Sequence, residues 1–151
     1  MMGEVVGKPR PRFTTVGGHV KTYPSAKGES FEGMVRLAYQ MQGGVMHEGP
    51  VTVAIAYRRK MPKSRPKRQE WEWDVFKPDV DNVEKAVLDA LSGVAFEDDR
   101  CVVCSKTMKM PRVRTEAEEL YVLVEEVTEE TRKELEETWQ RFTILQRTSS
   151  E

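Results

Sequence analysis

The sequence lacks the features that mark several common classes of protein. No apolar run is long enough to cross a bilayer, and the opening MMGEVVGKPRPR has no apolar core of a signal peptide. No glycine-rich phosphate loop is present either. These absences predict a cytoplasmic protein without a membrane anchor or an organic cofactor.

Cysteine and histidine are scarce, with 2 residues of each. Cys101 and Cys104 form a C-x-x-C pair, but no second pair or clustered histidine completes a zinc site. If this run is a strand, residues three apart point to opposite faces, which disfavours a disulfide. We therefore expect both thiols to be free.

Charge, by contrast, is abundant: 32% of the 151 residues are charged, in a length typical of one domain. The net charge is only −1, but its distribution is uneven. Residues 1–75 hold 13 Lys and Arg against 7 Asp and Glu, whereas residues 76–151 hold 11 against 18. A basic half of this kind is compatible with binding to nucleic acid.

The most distinctive segment spans residues 77–99 and reads KPDVDNVEKAVLDALSGVAFEDD. It concentrates aspartates at a density that causes strong mutual repulsion: Asp79, Asp81, Asp89, Asp98 and Asp99. A fold seldom crowds carboxylates without a cation, and ligation by oxygen alone suits Mg²⁺. The segment therefore predicts a magnesium site that handles phosphate.

A helix is predicted within this segment. Its core-facing stripe has helical spacing: Val80, Val83, Val87, Ala90, Leu91 and Val94. Asp79 or Asp81 can serve as N-cap, Asp81 with Glu84 fits a capping box, and Gly93 can end the helix. Lys85 lies one turn beyond Asp81 on the polar face.

Each charged group also has an ordinary explanation. Asp79 and Asp81 are typical of helix N-termini, the pair at residues 98–99 is typical of a turn, and Lys85 could form a weak surface ion pair. A D-x-D motif also occurs in metal enzymes that bind nucleotide diphosphates. The three elements together favour a metal site.

The core DVDNVEKAVLDAL, preceded by KP and followed by EDDRCV, resembles the signature of the RusA family of Holliday-junction resolvases. These are small endonucleases common in phages and prophages. Residues 7–14 (GKPRPRFT), with Tyr23 and Pro24, are similar to that family's opening strand and basic loop. Cys101 stands where the family often has glutamine, and the acidic tail after residue 127 has no counterpart in the shortest members.

This resemblance implies roles for individual residues. Asp79, Asp81 and Asp99 would be the metal-binding catalytic carboxylates, with Asp98 as a further candidate ligand, and Lys85 would be the catalytic lysine. It also implies Mg²⁺, with Mn²⁺ as a substitute, and a homodimer that resolves four-way junctions and related branched DNA in the bacterial cytoplasm. The alternative is a non-catalytic protein that recognises branched DNA.

The densest basic run, residues 58–68, is rich in proline and reads as a loop. Next to an acidic metal site, it is a candidate for contact with the DNA backbone. The residues we expect to bind DNA are Arg10, Arg12, Arg65, Lys67, Arg68 and Lys77. Trp71 and Trp73 could either stack on exposed bases or pack on the sheet.

The remaining pattern predicts one α+β domain with a mixed sheet in residues 1–127, followed by an acidic helical extension in residues 128–151. Strands are predicted at residues 4–6, 13–14, 19–23, 51–57 and 120–127, with a turn at residues 17–18 and a helix over residues 25–42. In the extension, an apolar side needs a partner surface, on its own domain or in a dimer: Leu135, Trp139, Phe142 and Leu145.

Overall fold

A computed structural model describes residues 12–16, 19–23 and 26–148, with side chains described over residues 30–143. The elements follow the chain as β1 (Arg12–Val16), β2 (His19–Tyr23), α1 (Ala26–Met41), β3 (Val51–Arg58), β4 (Trp71–Glu72), α2 (Val80–Leu91), β5 (Val102–Lys109), β6 (Arg112–Val113), β7 (Glu119–Glu126) and α3 (Glu129–Thr148). The predicted strand at residues 4–6 and the turn at residues 17–18 lie outside the described residues.

The main sheet has three strands in the order β5-β3-β7 and is mixed. β3 runs parallel to β5, with Ile55 opposite Thr107, and antiparallel to β7, with Ile55 opposite Val122. Two smaller antiparallel pairs accompany it, β1 with β2 and β4 with β6. The predicted α+β class with a mixed sheet is confirmed.

The core lies on one face of the main sheet. Alternate residues of β3 are buried, so that Ile55 and Tyr57 face inward. They pack in one cluster with α1, through Phe31, and with the predicted stripe of α2, through Val83 and Val87. The spacing of apolar residues therefore placed α2 correctly against the sheet, although Val80 at its start is 38% exposed.

The end of α2 also follows the prediction. Ser92 is the C-cap, and Gly93 takes a φ of 76°, a backbone conformation that glycine adopts without steric cost. A short 3₁₀ turn over Asp99–Cys101 then leads into β5. The strand thus begins after Cys101, and both cysteines are free thiols, as expected.

The C-terminal helix is present and begins where the sequence changes character. The Thr128 hydroxyl accepts a hydrogen bond from the Thr131 N–H at 3.2 Å, which caps α3. Trp139 and Phe142, on its apolar side, are 69% and 59% exposed. In the described part of the chain, this side is uncovered, and no helix there is long and apolar enough to cross a membrane.

Candidate active site

The first pair of predicted catalytic carboxylates lies at the N-terminus of α2. Asp79 is the N-cap residue but makes no side-chain capping hydrogen bond, and Asp81 follows in the first turn. Asp79, Asp81 and Lys85 are all exposed. Because the Asp79 carboxylate is not used for capping, its oxygens are available to a ligand.

The predicted capping box of Asp81 and Glu84 is wrong. Such a box requires the helix to begin after Asp81, but α2 already begins at Val80. The Glu84 carboxylate instead accepts a hydrogen bond from the Ser105 hydroxyl of β5. Glu84 therefore holds α2 to the sheet rather than closing the helix end.

A buried carboxylate, Asp74, organises the chain just before this site. Arg59 donates to both of its oxygens, at 2.7 and 2.6 Å, and an Arg112 guanidinium nitrogen lies 3.0 Å from one of them. The Lys109 ammonium is 3.8 Å away. Burial alone would raise the pKa of Asp74, but these bonds and cations outweigh burial and hold it below the usual value of 3.8.

The same cations reach the backbone that enters α2. The Lys109 Nζ donates to the Pro78 carbonyl at 2.9 Å and to the Phe76 carbonyl, and Arg59 donates to the Lys77 carbonyl. Burial lowers the pKa of Lys109, an effect that the nearby Asp74 partly opposes. Since these carbonyls directly precede Asp79, the buried network sets the position of the first catalytic carboxylate.

Tyr57 lies next to the last residue of β3. Its side chain is buried, and its hydroxyl has no hydrogen-bond partner among the described residues. Burial first, and then the charge of Asp74, raises the pKa of Tyr57 to about 12, with smaller contributions from Asp79 and Asp81. An unused hydroxyl therefore lies within electrostatic reach of both exposed acids.

The second acid pair precedes β5. The Asp98 carboxylate accepts a hydrogen bond from the Arg100 N–H at 3.0 Å. This bond, followed by one with the Asp99 side chain, lowers the pKa of Asp98. Asp99 is exposed, so at least one carboxylate of this pair can reach a ligand.

The two acid pairs lie at opposite ends of the α2 and β5 layer. Lys109, the last residue of β5, contacts Pro78 beside the first pair, whereas the second pair precedes Val102 at the start of that strand. The 12 residues of α2 alone span about 18 Å at 1.5 Å per residue. Within one chain, the two acid pairs are therefore far apart.

This separation bears directly on Mg²⁺. The oxygen donors are of the type that Mg²⁺ prefers. However, no group of three or more His, Cys, Asp or Glu side chains among the described residues is placed to hold a metal ion. The donor chemistry fits the ion, but the geometry within a single chain does not complete its site.

The predicted DNA-binding residues occupy different surroundings. Lys67, Arg68 and Lys77 are exposed. Arg65 instead binds Glu72 at 2.8 Å. Arg10 lies outside the described residues, and Arg12 lies in β1, where side chains are not described.

The exposure of the two tryptophans argues against one of the two roles considered from the sequence, packing on the sheet. Trp71 and Trp73 are 55% and 63% exposed, so neither packs into the core.

Sequence reasoning missed the residues that support the site: Tyr57, Arg59, Asp74, Lys109 and Arg112. One signal could have found part of the network. Residues 71–74 alternate aromatic and acidic side chains, as expected of a short strand with one apolar and one charged side. If the acidic side of this segment faces the protein, its buried carboxylates need cations from other parts of the chain as partners.

Fold and site together define the class: a small α+β domain that presents carboxylates beside a basic loop, suited to handling phosphate. The sequence matches the family described as Endodeoxyribonuclease RusA over residues 2–125, and the chain belongs to this family. It is also similar to the Uncharacterized protein YqaN of Bacillus subtilis (strain 168), at 33% identity over 135 residues, which cover 83% of this chain and 93% of that protein. The resemblance found in the sequence is thereby confirmed.

Proposed function

We propose that this protein is a Mg²⁺-dependent endodeoxyribonuclease that resolves four-way junctions and related branched DNA during recombination and repair. The chain belongs to the RusA family, and one observation on its structure carries the proposal. Asp79 and Asp81 are exposed at the start of a helix, with Lys85 one turn further on, and a buried network positions their backbone. Mn²⁺ would substitute for Mg²⁺.

Each residue has a distinct task in phosphodiester hydrolysis. Asp79 and Asp81 would hold the divalent ion, which would neutralise charge on the phosphate and activate the attacking water. The exposed Lys85 ammonium stabilises the negative charge that develops on the phosphate. Lys67, Arg68 and Lys77 hold the DNA backbone.

The separation of the acid pairs supports a homodimer with composite sites. In this arrangement, Asp79 and Asp81 of one chain face Asp98 and Asp99 of a second copy. A two-fold axis beside the outer edge of β5, level with its middle and perpendicular to the sheet, brings about this exchange, because it places each end of the layer next to the opposite end of the partner's layer. The dimer then carries two equivalent sites, one for each strand to be cut.

The edge of the sheet favours the same assembly. β5 is an outer strand of 8 residues, and its outer side has no partner within the described ranges. Proteins rarely leave an edge of this length unprotected. Pairing of this edge with a second copy would both cover it and align the acid pairs of the two copies.

We assign the nuclease domain to residues 1–127, followed by a helical extension over residues 128–151. The family match ends at residue 125, which supports this boundary. The bacterial cytoplasm, where branched DNA arises, is the proposed location.

Cleavage of a synthetic four-way junction tests the function. With Mg²⁺, we expect paired nicks by the wild type and none by Asp81→Asn, and no nicks by either with a chelator. Asp81→Asn should keep its circular dichroism and bind the junction as tightly as before, since it removes a repulsive charge. Asp89→Asn, on the same helix, is the matched control and should still cleave.

Two results would contradict the proposal. Unchanged cleavage by Asp81→Asn would remove this carboxylate from the site. Tight binding by the wild type without cleavage under any divalent ion would indicate a non-catalytic protein that recognises branched DNA.

A further inference from the structure

We propose that residues Trp71, Trp73, Val75 and Phe76, here called the aromatic patch, form a stacking surface for unpaired DNA bases beside the cleavage site. The proposal rests on the nuclease function above, because it names the part of the substrate that this surface contacts.

The aromatic patch is exposed to an unusual degree. Trp71 and Trp73 are 55% and 63% exposed, and Val75 and Phe76 are 81% and 43% exposed. Several exposed apolar side chains within six residues of a small domain commonly mark a site of interaction. The patch is therefore a candidate binding surface.

The outward orientation of each tryptophan is held by the acidic residue that follows it. Glu72 binds Arg65 at 2.8 Å, and Asp74 binds Arg59 at 2.6 Å. Because neighbouring side chains of an extended chain point to opposite sides, these inward ion pairs keep Trp71 and Trp73 facing solvent. The exposure is a built feature of the segment.

Trp71 and Trp73 are held against one another, and Phe76 is held separately by two cations. The centroids of Trp71 and Trp73 are 5.9 Å apart, with their planes at 87°, an edge-to-face arrangement. The guanidinium groups of Arg65 and Arg112 lie 5.2 and 5.0 Å from the centroid of Phe76. A preorganised surface of this kind loses little entropy when a base stacks on it.

Charge around the aromatic patch identifies its ligand. Exposed cations precede and follow the patch in the sequence, and none of them forms an ion pair with another described residue: Lys60, Lys63, Lys67, Arg68 and Lys77. Aromatic rings interleaved with unpaired cations are the typical means of binding single-stranded nucleic acid. Bases in a continuous duplex are already stacked, so the ligand is an unpaired stretch, as occurs at a branch point.

The aromatic patch lies next to the catalytic residues. Phe76 is three residues before Asp79, which limits their separation to about 11 Å even in a fully extended chain. The Phe76 carbonyl is itself bound by Lys109 and Arg59, which also fix the entry to α2. A base stacked here would thus belong to a nucleotide near the phosphate at the acids.

Binding to fluorescent oligothymidylate and to a fully paired duplex of equal length, both in chelator, tests the proposal. We expect Trp71→Ala/Trp73→Ala to bind the single strand about tenfold more weakly, and the duplex as before. Trp71→Phe/Trp73→Phe should retain most of the single-strand affinity. Trp139→Ala, which removes an equally exposed tryptophan from α3, is the matched control and should change neither.

Three results for Trp71→Ala/Trp73→Ala would overturn the proposal: unchanged affinity for the single strand, an equal loss of affinity for both DNAs, or dissociation of the variant dimer in the absence of DNA. The last would assign the aromatic patch to a protein interface. Because these measurements need no cleavage, the two proposals fail separately. An inactive wild type with the expected binding pattern would contradict the nuclease alone, and an active wild type without that pattern would contradict the patch alone.

Discussion

At the scale of single residues, Tyr57 has the most unusual environment. Its buried hydroxyl has no partner among the described residues, although burying such a group unbonded costs about 1–3 kcal/mol. The hydroxyl lies close enough to Asp79 and Asp81 for their charge to affect its pKa.

Tyr57→Phe should separate stability from function. The free energy of unfolding should stay the same or rise by up to about 1 kcal/mol, because no bond is lost in the folded chain. Turnover on the four-way junction should stay the same, because the buried hydroxyl makes no hydrogen bond to the exposed Asp79 or Asp81. Urea denaturation and cleavage kinetics measure the two, with the exposed Tyr121→Phe as control.

The pH dependence gives an independent check on Tyr57. Its folded-state pKa of about 12 is above the usual value of 10.0. The phenol therefore contributes stability that is fully present below pH 10 and is lost as pH rises through about 12. Two results would contradict a buried hydroxyl without a partner. One is alkaline unfolding of the wild type that matches that of Tyr57→Phe, and the other is a lower free energy of unfolding for Tyr57→Phe.

At the scale of elements, the segment between β4 and α2 depends on Asp74. Asp74→Asn keeps the shape of the side chain but leaves Arg59, Arg112 and Lys109 without their shared anion. We expect a loss of about 3–5 kcal/mol in the free energy of unfolding, as for other buried ion pairs broken on one side. Cleavage should also fall, because the carbonyls before Asp79 lose their support.

The acid limb of the stability curve should change as well. The pKa of Asp74 is held below 3.8 in the folded protein, so its stabilising effect is present above that pH and is lost as pH falls through the folded value. In Asp74→Asn this acid dependence should weaken. Glu116→Gln, which removes an exposed partner 3.3 Å from Arg58, should cost under about 1 kcal/mol; an equal cost for both variants would contradict the role of Asp74.

Local patterns predicted these elements well where one strong period dominates. The alternation in β3 and the stripe of α2 were sufficient to place both against the core. The capping-box prediction failed because the helix begins two residues earlier than that motif requires, with Asp79 rather than Asp81 as N-cap. The local sequence allows either aspartate to be the N-cap and does not decide between them. The Asp74 network could not be predicted, because its cations come from residues 15 to 38 positions away, brought close only by the fold.

At the scale of the whole molecule, the most consequential feature is the separation of the two acid pairs, which lie at opposite ends of α2 and β5. The resemblance in the sequence predicts which residues form the site. It did not predict that α2 separates them, because the direction of the helix is known only from the fold. With Asp79 and Asp98 at opposite ends of one layer, a second copy supplies the simplest completion. Like charges then meet across the interface, so Mg²⁺ should strengthen the dimer.

Mixed dimers of Asp81→Asn and Asp99→Asn, formed by co-refolding, test this account most directly. Each variant alone should be inactive. If the sites are composite, each mixed dimer has one intact site, and an equal mixture should recover about a quarter of the wild-type sites, measured both by junction nicking and by direct titration with Mn²⁺. As the converse, dimers that pair the wild type with Asp81→Asn/Asp99→Asn should be inactive. No recovery in the first mixture, with half of the sites active in the second type of dimer, would place all the carboxylates of a site in one chain and contradict the account.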